Sequence, residues 1–328
     1  MRTRRGVHAE LLNEHANEST EHGKERVPTR CDATNRDAHS FEHSTVASDI
    51  RAIMSGSVQR YARHSLTNPD ESMTFTVVGR CNRTGQLGIG IATSSPAVVH
   101  RCVNVSRDGA VAFQSVPDPR LGALGLRMIE SGWWPQKVVD ELVATDKWPG
   151  KRQIGIVNSD GHVAAFTGKD NVPWAGHVLG DNHVAMGNVL AGPEVAQAIS
   201  EEFLVTGDLD LEERLLRAIE AGRDAGGQEE GQTSAGLLVF GRETYSRCDL
   251  RVDVAEEPIA ELRRIFDWYQ PLISYYDERG RNPLVPRVKD YLAHKGLERE
   301  FGKPVPVTRG PKAKNAANPT ADLKRVKP

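Results

Sequence analysis

Residues 73–93 read MTFTVVGRCNRTGQLGIGIAT. A β-branched apolar run over 74–79 meets a polar turn at 81–85, and a second apolar run follows over 86–93. Two such runs about a glycine-bearing turn predict an antiparallel hairpin. Gly88 and Gly90 stand inside the second run, where the missing side chain favours close approach of another backbone. A third strand is predicted over 110–115 (AVAFQS), behind the Asp108-Gly109 turn. Two helices then begin on prolines, over 119–130 and 135–145, as the first-turn preference of proline allows. Residues 153–158 (QIGIVN) and 162–167 (HVAAFT) flank Ser159-Asp160-Gly161 and predict a second hairpin. A polar loop over 174–182 precedes a short strand over 183–186 and the segment GNVLAG at 187–192. Helices over 193–205 and 211–223, strands over 233–240 and 249–254, and a helix over 258–275 complete the pattern. Hairpins segregated from helix pairs predict an α+β layered sandwich and exclude a doubly wound sheet.

The flanks read differently. Over residues 1–72 the apolar residues stand singly, as at Val7, Leu11, Val27, Phe41 and Val46. No periodic face survives there, so the expectation is a disordered leader or an overextended gene start. Its histidines (His8, His15, His22, His39, His43 and His64) have irregular spacing and no metal-ligand pattern. Arg2, Arg4 and Arg5 are followed by no apolar run, which excludes a secretory signal, and Glu10, Glu14, Glu18 and Glu21 argue against a transit peptide. Residues 73–256 are expected to form the main domain and 257–301 a helical appendage. Over 302–328 seven basic residues stand against Asp322 alone among proline breaks, which predicts a disordered basic tail.

Net charge is −2 over 328 residues, so composition points to neither nucleic acid nor an acidic membrane as partner. Cys31, Cys81, Cys102 and Cys248 lie far apart and form no CxxC pair; a reducing cytoplasm and no disulfide framework are expected. No apolar run approaches the roughly 20 residues of a membrane span. No cofactor and no metal are implied: His177 and His183 with Asp181 match no standard ligand spacing. Asp249, Arg251 and Asp253 alternate on one strand face and suit surface or dimer-interface ion pairs, so a homo-oligomer, a dimer, is expected.

The candidate chemistry begins at Thr74. A threonine directly behind a methionine becomes N-terminal if translation starts at Met73 and the methionine is removed. Its hydroxyl and its own amine then share one residue, the minimal apparatus for activating an oxygen nucleophile. An α-amine titrates near pH 8 and can act as a base around neutrality. With a peptide bond on its nitrogen that base is gone. Without the downstream pattern, a β-branched residue opening a strand is an ordinary structural residue. Substrate contacts are expected where strands end beside polar clusters: Thr93, Ser94 and Ser95; Gln114, Ser115 and Asp118; His177 in a glycine-containing loop; Asn188; and Gln232 with Ser234. The plainer reading of each is a turn, a helix cap, a structural hydrogen bond or close backbone packing.

The 73–99 run, the QIGIVNSDGHVAAFTG hairpin, the WAGH and GNVLAG segments, the QTSAGLLVF strand, and DLRVD followed by PIAELRRIF resemble a bacterial family without established activity. That family is placed in the N-terminal nucleophile (Ntn) hydrolase superfamily, and the resemblance covers residues 73–266. Its members usually begin at the Met-Thr-Phe found here at 73–75. The resemblance implies a four-layer αββα sandwich and a mature N-terminus at Thr74. It gives no substrate; the reading adopted is hydrolysis of a small amide, imide or ureide through a threonine acyl-enzyme. The alternative is a non-catalytic ligand-binding or assembly protein on the same scaffold. Pro117 stands where relatives carry a small polar residue, a departure at the loop after the third strand.

Overall fold

The computed structural model describes residues 73–228 and 230–296. The leader over 1–72 and the basic tail over 302–328 lie outside the described residues. The described chain is a mixed α+β fold with two antiparallel sheets and, among the described residues, seven α-helices.

The hairpin read from residues 73–93 forms as β1 (Thr74–Arg80) and β2 (Leu87–Thr93), with Thr74 opposite Thr93 and Arg80 opposite Leu87. Gly85 turns the chain at φ +73°, a conformation open to glycine at little cost. A short helix α1 (Val98–Cys102) and β3 (Val103–Val105) lead into β4 (Gly109–Ser115). Helices α2 (Pro119–Glu130) and α3 (Pro135–Thr145) both carry proline in their first turn. The Asp118 carboxylate caps α2 by accepting from Arg120 N–H at 3.0 Å, and Gly132 at φ +85° ends it.

Strands β5 (Arg152–Asn158) and β6 (Val163–Thr167) make the second expected hairpin. Its turn is fixed by Asn158 Oδ1, which accepts from the N–H groups of Asp160 and His162, with Gly161 at φ +90°. The loop expected over 174–182 contains a strand, β7 (Gly176–Gly180), paired with β8 (His183–Asn188). Strand β8 therefore runs two residues beyond its expected end and includes Asn188. Helices α4 (Pro193–Val205) and α5 (Leu211–Asp224), then β9 (Ser234–Phe240), β10 (Ser246–Val252), α6 (Pro258–Arg281) and α7 (Val288–His294), complete the order. Helix α6 continues past the expected residue 275 and through Pro271.

The six-stranded sheet has the order β10-β9-β2-β1-β8-β7 and the four-stranded sheet β3-β4-β5-β6. Period-two alternation sorts the β1 side chains between two faces. Phe75 and Val77 join Phe203 of α4, Leu215 and Ile219 of α5, and Leu262 and Phe266 of α6 in one buried cluster. Val78 turns the other way and packs with Ile89, Ile91, Ala110, Ala112 and Met186 between the sheets. A third cluster joins Val111, Phe113, Ile154 and Ile156 to Ile129 of α2 and Val138 and Leu142 of α3. Fully burying one such large apolar side chain contributes about 1.5–3 kcal/mol. Among the described residues no helix is long and apolar enough to cross a membrane, and Cys81, Cys102 and Cys248 are buried free thiols.

Helix α5 lies directly on β2, and the two glycines of that strand make room for it. A Cβ on Gly90 would stand 2.9 Å from the Leu215 carbonyl oxygen, and one on Gly88 would stand 2.8 Å from the Leu238 carbonyl oxygen. Neither backbone atom can rotate aside. Gly90→Ala should therefore lower unfolding free energy by about 1–3 kcal/mol in urea titrations. Gly241→Ala, where nothing lies within 4 Å, should leave it within about 0.5 kcal/mol.

Candidate active site

The layer between the sheets is apolar along most of its length and polar at one end. Thr74 opens β1 and lies in register with Thr93, the last residue of β2, and with Asn188, the last residue of β8. Thr93 is in turn opposite Ser234, the first residue of β9. In the facing sheet Gln114 near the end of β4 pairs with Gln153 near the start of β5, and Gln153 with Thr167 at the end of β6. Because neighbouring strands run in opposite directions, starts and ends alternate along each sheet edge, and these positions share one end of the molecule.

Thr74, Thr76, Thr93, Gln114, Gln153, Asn188 and Ser234 are all buried, so each polar group needs a partner. Thr76 Oγ1 donates to Gln114 Oε1 at 2.5 Å. Gln114 Nε2 donates to Gln153 Oε1 at 2.9 Å, and Asn188 Nδ2 reaches the same oxygen at 3.2 Å. Gln153 Nε2 then donates to the Gly187 and Gly176 carbonyls and to Thr167 Oγ1, at 2.8, 3.0 and 3.0 Å. Thr167 Oγ1 lies 2.9 Å from His177 Nδ1. Side chains 10 to 39 residues apart in sequence thus bond into one network centred on Gln153.

Thr74 stands beside that network, 1% exposed. Its Oγ1 is 2.9 Å from Thr93 Oγ1, and its carbonyl is 3.5 Å from Gln114 Nε2. Thr93 Oγ1 donates its one proton to the Met73 carbonyl at 2.5 Å, so in the Thr74–Thr93 contact Thr74 is the donor. The Met73 carbonyl also accepts from Ser94 N–H at 3.1 Å. In the whole chain two donors are therefore aimed at the carbonyl joined to the Thr74 nitrogen.

The backbone is strained on either side of this cluster. Ser115, following Gln114, has φ +73°, and Val189, following Asn188, has φ +52°. A β-branched residue in that region is a true outlier and costs about 1–3 kcal/mol. Ser115, Asn188 and Val189 line a small recess with Lys151, Asp170 and Asn171. It holds about 10 Å³, the room that one water takes. Asn171 Nδ2 donates to the Gly150, Arg152 and Gly168 carbonyls, while its buried Oδ1 has no partner among the described residues.

The remaining expected residues divide. Ser94 Oγ accepts from Met73 N–H at 3.3 Å and lies at the site. Ser234 Oγ donates to the Ser95 carbonyl at 2.6 Å and accepts from Val98 N–H at 3.2 Å, so Ser234 and Ser95 pin the chain entering α1. Asp118 belongs to its helix cap and pairs with Arg120 at 2.8 Å; the Arg120 hydrogen bonds hold its carboxyl down to about 2. Gln232 is half-buried, close to Gly227, and makes no hydrogen bond to the network. His177 sits on β7, not in a loop, opposite Met186 and facing the inter-sheet layer. His183 faces the other side of the same sheet, where its ring meets Phe203 at 4.8 Å. Two imidazoles on opposite faces of a sheet cannot share one ion, and among the described residues no cluster of potential ligands is suited to a metal.

Three members of the network, Thr76, Gln153 and Thr167, are absent from the expected set. Each occupies an inward position where the strand's apolar alternation gives way to a polar side chain, and that change was the available signal.

A family model described as a family of unknown function (DUF1028) matches residues 74–262. The chain is also similar to protein SPO2555 from Silicibacter pomeroyi, whose crystal structure carries the same family label. The two are 29% identical with a TM-score of 0.56, covering 60% of this chain and 89% of that one. No curated protein matches this chain.

Two measurements follow from the geometry. Gln153→Leu strands the Gln114 and Asn188 amides and the Gly187 carbonyl inside the protein, and should cost at least about 2 kcal/mol by urea denaturation. Gln136→Leu, at an exposed helix position, should be close to neutral. Burial pushes both the His183 and His177 imidazoles below the usual histidine value. Their stabilisation is fully present above the unfolded pKa of about 6.5 and is lost as pH falls from there toward the depressed folded values. Unfolding free energy should therefore drop between about pH 7 and pH 5, and His183→Gln should flatten that slope.

Proposed function

We propose that this chain, which belongs to the DUF1028 family of unknown function, is an Ntn amidohydrolase that cleaves a small amide, imide or ureide through Thr74. The reaction requires that the Thr74 nitrogen be free. The observation that carries the reading is the convergence of buried hydroxyls and amides from both sheets on the first residue of β1. Two further features support it. The family match begins at Thr74. Helices α4 and α5 pack against one sheet and α2 and α3 against the other, which supports an αββα layering.

In this mechanism Thr74 Oγ1 attacks the carbonyl carbon of the substrate amide while its proton passes to the Thr74 α-amine. The tetrahedral oxyanion is met by the Thr93 hydroxyl and the Ser94 N–H. Those donors are engaged by the Met73 carbonyl in the longer chain and are released when Met73 is removed. The ammonium returns the proton to the leaving nitrogen as the C–N bond breaks. Water, deprotonated by the same amine, then hydrolyses the threonyl ester and restores the hydroxyl. The strained turns at Ser115 and Val189 hold Gln114 and Asn188 at the rim. Their amides, fixed by Gln153, would orient the polar part of the substrate.

The burial of Thr74 behind Met73 favours a second reading for the longer form: a non-catalytic ligand-binding or assembly protein on the same scaffold. The two are separated by preparing the chain with Thr74 as its first residue, verified by intact mass, and screening it against small amides, imides and ureides. Turnover should appear only with the free threonine, and Thr74→Ala should reduce it at least about a hundredfold, as loss of a covalent nucleophile does. Equal turnover in Thr74→Ala, or in protein retaining Met73 and the residues before it, would contradict the nucleophile role.

A further inference from the structure

One sizeable cavity lies far from Thr74. It is about 570 Å³, within the roughly 300–1,000 Å³ of small-ligand sites. Its walls come from the β1–β2 turn, the β9–β10 turn and the end of α6. Strand β1 runs from Thr74 to Arg80, so this cleft sits at the opposite end of the sheet, about 20 Å away at ~3.3 Å per residue.

Four arginines line it: Arg83, Arg242, Arg247 and Arg281. Two are already neutralised. Arg247 Nε meets Glu212 at 2.7 Å and Arg247 Nη1 meets Asp277; Arg281 meets Glu243 at 3.0 Å. Arg83 bonds only a neutral group, the Leu209 carbonyl. Arg242 has no hydrogen-bond or ion-pair partner among the described residues. Two guanidiniums without a carboxylate thus converge on one cleft from turns about 160 residues apart in sequence, in a chain whose net charge is −2. Thr84 Oγ1 donates to Gln86 Oε1 at 2.9 Å, which leaves the Gln86 NH2 group as a neutral donor on the same wall. Tyr245, 49% exposed, adds an aromatic surface.

We infer that this cleft is a second binding site, for an organic oxyanion, phosphate or carboxylate, attached to a flat apolar group. Arg83 and Arg242 grip the oxyanion through their planar N–H forks. The Arg247–Glu212–Asp277 pairing forms a rigid floor, and Tyr245 packs the apolar part. The inference is independent of any chemistry at Thr74.

Calorimetric titration of the full chain with phenyl phosphate, benzoate and inorganic phosphate tests it and separates the two oxyanion types. Saturable binding of at least one of the aromatic anions is expected, weakening as salt is raised. Arg83→Ala and Arg242→Ala should each weaken it about tenfold or more, since a charge-assisted contact is worth about 1.5–3 kcal/mol. Tyr245→Ala should weaken the aromatic anion and leave inorganic phosphate unchanged. Arg264→Ala, on the exposed first half of α6, should have no effect. These are surface positions, so melting temperatures should match the parent. No saturable binding of any of the three at low salt, or unchanged affinity in both Arg83→Ala and Arg242→Ala, would overturn the site. Equal affinity for phenyl phosphate and inorganic phosphate would overturn the aromatic part.

Discussion

Everything at the candidate site depends on one amide, the Gln153 side chain, buried between two sheets. Its oxygen accepts from Gln114 and Asn188, and its nitrogen donates to the Gly187 carbonyl of the facing sheet. A buried amide left unpaired costs about 1–3 kcal/mol, so the sheets can close here only in the register that satisfies it. Apolar contacts alone would tolerate small slips between the sheets. The hydrogen bonds do not, and they fix Gln114 and Gln153 of one sheet against Thr74, Gly187 and Asn188 of the other.

That constraint explains why the sheet ends are polar and the middle is not. Val78, Ile89, Ile91 and Met186 exclude water along the layer. Inside such a layer a hydroxyl or amide is worth keeping only if it is fully bonded or is to be presented to something else. Thr93 meets both conditions: its proton is engaged by the Met73 carbonyl, and loss of Met73 would release it beside Thr74. The two states that the proposal requires would differ by one peptide bond. With it, the Thr74 nitrogen is an amide without basicity; without it, the same atom is an amine that titrates near neutrality.

Much of the fold was legible in the sequence because its signals are local. Both hairpins carry a glycine at the turn, and most helices announce themselves with proline in the first turn and an apolar stripe. Strand β7 was missed because GHVLG offers no β-branched run and lies between glycines beside a tryptophan; its pairing with β8 comes from tertiary packing. Helix α6 runs through Pro271 as expected, its second half held by burial of Leu272, Ile273 and Tyr275, but its last turns to Arg281 were missed because DERGR carries no apolar stripe. At the site, Thr74, Thr93, Gln114 and Asn188 were visible as polar residues near strand ends, and His177 as a polar residue of an expected loop. Gln153 and Thr167 stand at strand ends too, but as the paired ends of a regular hairpin they read as ordinary strand residues, and the Gln114 and Asn188 partners of Gln153 lie 39 and 35 residues away. Asp118 and Ser234 show the limit of that criterion: they end strands or open helices, and the structure gives them caps and turns to hold.

The central claim is that Thr74 becomes a nucleophile when its nitrogen is free. The most direct measurement is covalent labelling with a β-lactone, which acylates an activated hydroxyl, read by intact mass and peptide mapping. Protein beginning at Thr74 should gain one probe mass, located on Thr74, and protein that retains Met73 should gain none. Absence of an adduct on the free-threonine form, or the same adduct on both forms, would contradict the account.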